Sequence, residues 1–371
     1  MGAGSCRPPP ATLQPVTVGA TCFSPAEPLH DTASKTSRNH AKALNSALVF
    51  RYLIRRLLWA IVLFLAVTMV TYMIFYIIPA NPARLACGQR ATESCIAQAE
   101  HRLGLDRPVP VQYALFLKRL VIDRSLGTSF TNRRNVTQTI LDAAPVTASL
   151  VFGGAILWML IALPVGILSA LRPRSLMDRA ATVFVLIGIS LPVVLIGLVL
   201  QYAIGYRLGW FPNAGYCDFI NPEETATCGG PAQWAYHLVL PWLTFAVLFA
   251  AIYVRMIRAN VMDTLGEDYV RTARAKGAPE PQVMRNHVLR NALLPVVTML
   301  GMDIGIALGG AIFTEYIFGL PGLGRLAVQA LENFDLPMIQ GVVVFSTLCI
   351  IVFNVMVDVA YAFIDPRIRL N

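Results

Sequence analysis

The chain has 371 residues, 56% of them hydrophobic and only 14% charged, with a mean hydropathy of +0.59 and a formal net charge of +9. A soluble protein of this length does not carry so apolar a sequence, which places the chain in a membrane. The cations stand beside apolar runs and no basic, aromatic-interleaved module occurs, so they set orientation, and nucleic acid is not an expected partner.

In chain order, residues 1–50 form the first unit. Positions 1–46 are rich in Pro, Ser, Thr and Ala without apolar periodicity, which predicts a disordered cytosolic tail or a start codon placed too early. The apolar run Leu57 to Ile78 is too long for a signal-peptide core and has no small-residue cleavage site directly after it, so it is expected to stay as an anchor. Residues 51–371 then read as one all-α, polytopic membrane domain. Six segments are long enough to cross a bilayer: about 53–78, 144–171, 180–206, 236–256, 291–313 and 339–363. An even number puts both termini on one side. Arg51, Arg55 and Arg56 before the first span, and Arg172, Arg174 and Arg179 between the second and third, mark that side as cytosolic.

The stretch at about 79–143 is expected to be an outer-loop insertion with helices near Ala99–Leu103 and Val111–Val121. Cys87 and Cys95 fall in it, and Cys217 and Cys228 in the second outer loop; paired spacing on an oxidising face predicts two loop-stapling disulfides, with free thiols as the alternative. Asp303 and Asp358 are acids at membrane depth. Each costs about 3 kcal/mol on insertion, which some six Leu, Ile or Val residues at about −0.5 kcal/mol each offset. Asp303 is a candidate for lining a polar pathway and Asp358 for pairing with a basic neighbour. Two such acids also admit an intramembrane aspartyl protease, although no Gly-x-Gly-Asp sequence precedes either.

The polar stretch Glu267 to Pro295, EDYVRTARAKGAPEPQVMRNHVLRNALLP, lies between the fourth and fifth spans. Arg255, Arg258, Arg271, Arg274, Lys276, Arg285 and Arg290 put it in the cytosol, as a loop over about 257–290. Glu267 and Arg271 are spaced i,i+4, Ala273 and Ala275 favour a helix, Gly277 offers a left-handed stop, and Pro279 and Pro281 suit a new first turn. The pattern predicts helix, sharp turn, short helix: a knob for a soluble partner to grip. No G-x-x-x-x-G-K-[ST] sequence occurs, so any ATP is hydrolysed elsewhere, and His287 has no second His or Cys beside it at ligand spacing, which leaves no expected metal or directly bound cofactor.

DYVRTARAKG followed by HVLRNALLP resembles the EAA loop of ATP-binding cassette (ABC) importer permeases, in the variant of the dipeptide/oligopeptide (peptide/nickel) family, first-permease type. Further family-like pieces stand at Leu103–Pro108, Gly309–Phe318, Pro321–Gly324 and Asp365–Arg369; Arg271 and Thr272 replace the usual Glu and first Ala, Ala273 and Gly277 match, and Ala-Pro-Glu-Pro at 278–281 is a less usual turn. The resemblance implies a type I importer permease in the inner membrane of a prokaryote. Its partners would be a second homologous permease, two cytosolic ATPase subunits that use ATP and Mg, and an extracytoplasmic substrate-binding protein. It implies an ATPase-coupling loop made of Glu267, Asp268, Arg271, Ala273, Lys276, Gly277, Pro279, Arg285, His287 and Arg290, with membrane lipid around the spans and a peptide as solute. Nickel or glutathione permeases share such motifs. An ion-driven transporter should show acids in repeated halves, and no internal repeat is found.

Overall fold

The computed structural model describes residues 54–74, 82–87, 92–103, 108–219 and 228–364; the expectations for the tail at 1–50 and for Asp365–Arg369 fall outside them. In chain order the helices are α1 (Ile54–Tyr72), α2 (Pro82–Cys87), α3 (Glu93–Leu103), α4 (Val109–Val121), α5 (Val136–Leu171), α6 (Leu176–Ser190) and α7 (Val193–Leu200), which runs on to Arg207 in wider turns. There follow α8 (Pro231–Leu265), α9 (Asp268–Ala275), α10 (Glu280–Val283) with wider turns over Met284–Leu289, α11 (Arg290–Ala292), α12 (Leu294–Ala307), α13 (Ile312–Phe318), α14 (Leu323–Glu332) and α15 (Leu336–Ile364).

Four helices, α1, α5, α8 and α15, are long and apolar enough to span, and two bent pairs bring the number to six when each counts as one span. At 1.5 Å per residue α5 and α8 reach about 50 Å, well beyond the roughly 30 Å hydrocarbon layer. They therefore extend past the apolar windows expected from sequence. α5 begins at Val136, inside the predicted outer insertion, and α8 continues to Leu265, so Arg255 and Arg258 lie on a helix and the connection proper starts at Gly266.

The third and fifth spans depart from single helices. α6 and α7 meet at 107°. Pro192 has no N–H to give and disfavours helical backbone before it, and Leu191 is accordingly extended (φ −94°, ψ 131°). The fifth counts as a span only with the helical stretch Glu280–Ala292, which meets α12 at 44°; α12 itself has 14 residues, stops at Ala307 and is followed by α13 from Ile312. Gly310 turns the chain there at φ +133°, and a Cβ on it would lie 2.9 Å from the Cα of Gly324. Only glycine fits both the backbone conformation and that approach.

α5 and α8 form the centre. Trp158 of α5 is fully buried, stacked on Phe249 (ring centroids 4.6 Å apart) and flanked by Phe245 and Tyr253 of α8. A Cβ at Gly154 would come within 2.9 Å of Phe245, so the small residue sets how close the two helices lie. α1 is peripheral: Tyr72 packs on Tyr113 and Phe116 of α4, and Thr68 hydrogen-bonds the Tyr113 hydroxyl at 2.9 Å.

Candidate functional site

The polar stretch between α8 and α12 folds as helix, turn, short helix. Glu267 stands at the N-cap of α9 with extended backbone (φ −70°, ψ 145°). It is outside the helical array, so the i,i+4 partnership with Arg271 expected from spacing does not form; Arg271 instead lies 3.9 Å from Asp268, both exposed. α9 ends in a Schellman turn: the Ala278 N–H donates to the Ala273 carbonyl (3.3 Å), the Gly277 N–H to that of Arg274 (2.9 Å), and Gly277 has φ +79°. Pro279 then N-caps α10, with Pro281 in its first turn.

A clasp spans this turn. Arg274 donates through Nε and Nη2 to the two carboxylate oxygens of Glu280 (3.1 and 2.6 Å), a bidentate pair. The hydrogen bonds from Arg274 hold the Glu280 carboxyl below the usual carboxylate range, so the clasp is intact at neutral pH. Beneath it the knob is anchored by one apolar side chain per segment: Val270, Val283 and Val288 are all fully buried, and Ala273, Ala278, Met284 and Leu289 pack against the same core. Asn291 Nδ2 donates to the Tyr269 hydroxyl (2.9 Å) and Asn260 Nδ2 to the Ala292 carbonyl (3.3 Å), tying the exit of the knob to α9 and α8. Arg271, Lys276, Gly277, Pro279, Arg285 and Arg290 stay exposed, while His287 is half-buried within the wide turn. The result is a turn fastened by the clasp and the buried valines, with a mostly cationic exposed surface.

Asp178, which sequence reasoning passed over, secures the same face. Its carboxylate accepts from the Ser169 hydroxyl, the Arg174 N–H (2.9 Å), and Nε and Nη2 of Arg258 on α8 (2.7 and 3.1 Å). Ser175 caps α6 by accepting from the Asp178 N–H at 3.2 Å, so the Ser-x-x-Asp spacing was the available signal. The short α5–α6 turn, where Arg174 is left-handed (φ +66°), is thereby fixed to the helix that leads into the knob.

At the opposite end of α12, Glu315 is fully buried. Its carboxylate accepts from the Thr147 hydroxyl (2.7 Å) and from the Arg325 N–H (3.0 Å), and a Cβ on Gly322 would collide with it. The separate sequence pieces Gly309–Phe318 and Pro321–Gly324 are thus one packed unit around a carboxylate. Asp335 makes a second knot, accepting from the Ser129 hydroxyl and from the Phe130 N–H (3.0 Å).

Disulfides join Cys87 to Cys95, with Cα atoms 6.1 Å apart, and Cys217 to Cys228, with Cα atoms 5.4 Å apart. His237, unremarked in the sequence, brings Nδ1 to 3.2 Å from the Cys217 sulfur; Cys217, Cys228 and His237 form a three-ligand cluster, but the two sulfurs are bonded to each other. Asp303 accepts from the Tyr253 hydroxyl at 2.6 Å, and Asp358 is paired with Arg56 at 2.5 Å. Each acid has its own partner on another helix, and among the described residues no hydrogen bond joins the two carboxyls as in a shared-proton dyad.

The sequence matches two family regions, the N-terminal part of a binding-protein-dependent transport system membrane component over residues 49–151 and the inner membrane component itself over 162–370. The chain is 38% identical over 330 residues to the glutathione transport system permease protein GsiC of Pectobacterium atrosepticum, covering 86% of this chain and 99% of that one. It is 36% identical over 331 residues to the dipeptide transport system permease protein DppB of Alkalihalophilus pseudofirmus, again 86% and 99%. Among solved structures it is similar to a chain of the MetNI methionine ABC transporter in inward-facing conformations, at 18% identity and TM-score 0.48 over 62% of this chain and 97% of that one. Matched along nearly its whole helical domain, the chain belongs to the binding-protein-dependent transport system inner membrane components, and is a multi-pass permease subunit with no enzymatic activity of its own.

Proposed function

We propose that this permease moves short peptides into the cytosol as one transmembrane subunit of an ATP-driven importer. The observation that carries the reading is the knob at Glu267–Arg290: a turn over-determined by Gly277 and the Arg274–Glu280 clasp, anchored by three buried valines, and cationic outside. A surface of that stiffness can transmit a push. Two cytosolic ATPase subunits, which use ATP and Mg, grip it, and a second homologous permease completes the path. An extracytoplasmic binding protein delivers solute to the disulfide-stapled face. The ATPases shift the inward–outward equilibrium only through differential contact with the knob; moving it from 1:99 to 99:1 takes about 5.5 kcal/mol. Asp303, with Tyr253, lines the polar part of the path. Both termini are cytosolic. Glutathione, itself a tripeptide derivative, is the second reading, favoured by the 38% identity to a glutathione permease.

The test has two arms. In a background with Cys6, Cys22 and Cys349 changed to Ser, a membrane-impermeant thiol reagent applied to intact cells labels Phe219→Cys and spares Glu280→Cys; the opposite pattern reverses the orientation. In proteoliposomes holding the full complex, labelled trialanine accumulates only with ATP and binding protein, and accumulation without ATP rejects the mechanism.

A further inference from the structure

A cavity of about 960 Å³ opens beside the Cys217–Cys228 disulfide, at the upper end of the roughly 300–1,000 Å³ typical of small-ligand sites. Three segments wall it: the start of α5, the start of α14, and the chain around the Cys217–Cys228 bridge. Its charged lining is balanced. Arg134 and Arg325 supply two cations, and Asp142 and Asp218 two anions. Among the described residues no ion pair uses any of the four. Opposite charges in one cavity that do not neutralise each other are available to a ligand carrying both signs.

Two features make this a built site. Gln138 and Asp142 are one turn apart on α5, and Arg325 and Gln329 one turn apart on α14, so each wall offers a charge beside an amide. Arg325 is also held in place: its Nη1 donates to the Gly319 carbonyl (2.7 Å), and its backbone N–H donates to buried Glu315 (3.0 Å). A guanidinium has five N–H donors, so one bond leaves donors for a carboxylate.

We propose that this cavity is a receiving subsite for short peptides in their zwitterionic form, the arginines taking the terminal carboxylate, the aspartates the terminal ammonium, and Gln138 and Gln329 the peptide bonds between. This rests on the peptide-import reading and adds a requirement to it: both free termini are recognised by the permease itself, apart from any selection made by a binding protein. The balanced charge disfavours simple anions and cations, each of which would meet a repelling pair.

The experiment uses the assembled permease–ATPase complex in nanodiscs without binding protein, titrated with trialanine, N-acetyl-trialanine and trialanine amide and followed by saturation-transfer NMR. Trialanine should bind at least tenfold more tightly than either capped peptide. Arg134→Gln/Arg325→Gln should weaken trialanine about tenfold and leave trialanine amide unchanged, and Asp142→Asn/Asp218→Asn should do the same with N-acetyl-trialanine as the unaffected ligand. Equal affinity for free and capped peptides, an equal loss of all three in either variant, or no trialanine binding at all overturns the subsite. Uptake by the full complex separates the two readings: a complex that still accumulates trialanine after such a result keeps its transport function and loses only this site, whereas one that moves no peptide fails the transport reading itself.

Discussion

Both ends of the bundle bury carboxylates, and Asp178 at one end and Glu315 at the other are held by different chemistry. On the knob side Asp178 is met by the Arg258 guanidinium, full charge against full charge. On the disulfide side Glu315 is met by a hydroxyl and a backbone N–H, with glycines cleared around it. The ion pair joins residues 80 positions apart through their side chains, and the same carboxylate also takes the Ser169 hydroxyl and the Arg174 N–H. The Glu315 cradle has no counter-charge: a hydroxyl and a free N–H of the first turn of α14 meet the carboxylate. The difference puts a charge-paired contact on the side where the ATPases are proposed to act and a cradle without a counter-charge on the side facing solute.

The largest expected effect comes from leaving the Asp178 carboxylate buried alone. Arg258→Met should cost about 3–5 kcal/mol, read as a lowered thermal midpoint of the purified complex. Arg258→Met combined with Asp178→Leu should recover most of that loss, and a double variant as unstable as Arg258→Met would show that the guanidinium is not what the carboxylate serves. Glu315→Gln comes next. Its carbonyl keeps one acceptor while its amide faces an N–H, so about 1–3 kcal/mol should go, with a dependence on salt no greater than that of the wild type.

Gly277→Val should cost about 1 kcal/mol or somewhat more, because φ +79° places its Cβ against the following carbonyl. Thermal stability should change little. Transport and substrate-stimulated ATP hydrolysis should fall together, and wild-type transport in an assembled complex would take the knob out of the coupling. The smallest effect belongs to Arg274→Met: the clasp is exposed, so the midpoint should stay where it is while coupling efficiency drops.

Local features of this chain were legible in its sequence. The glycine after a cation-rich helix marked the left-handed stop at Gly277, and the proline pair marked the restart. Apolar run lengths located the spans. What was hidden depended on distance or on competition between signals. The Asp178–Arg258 and Thr147–Glu315 contacts join residues 80 and 168 positions apart, and nothing local specifies either pairing. Charge counting ended the fourth span at 256, whereas a helix that leaves the hydrocarbon continues as long as its backbone bonds are satisfied, here to Leu265. Glu267 was counted into α9 by spacing although its backbone is that of a cap.

The pairing of Arg56 with Asp358 has a consequence for the order in which the protein is made. α1 leaves the ribosome first and α15 last. Around α1 most side chains face outward; Tyr72 and Phe64 share a small apolar cluster with Phe116 of α4 and Val344 of α15, and Arg56 adds the ion pair. During synthesis the first helix must therefore wait, its arginine unmatched, until almost the entire chain has been translated. A polypeptide cut short before residue 358 would keep that arginine without its carboxylate.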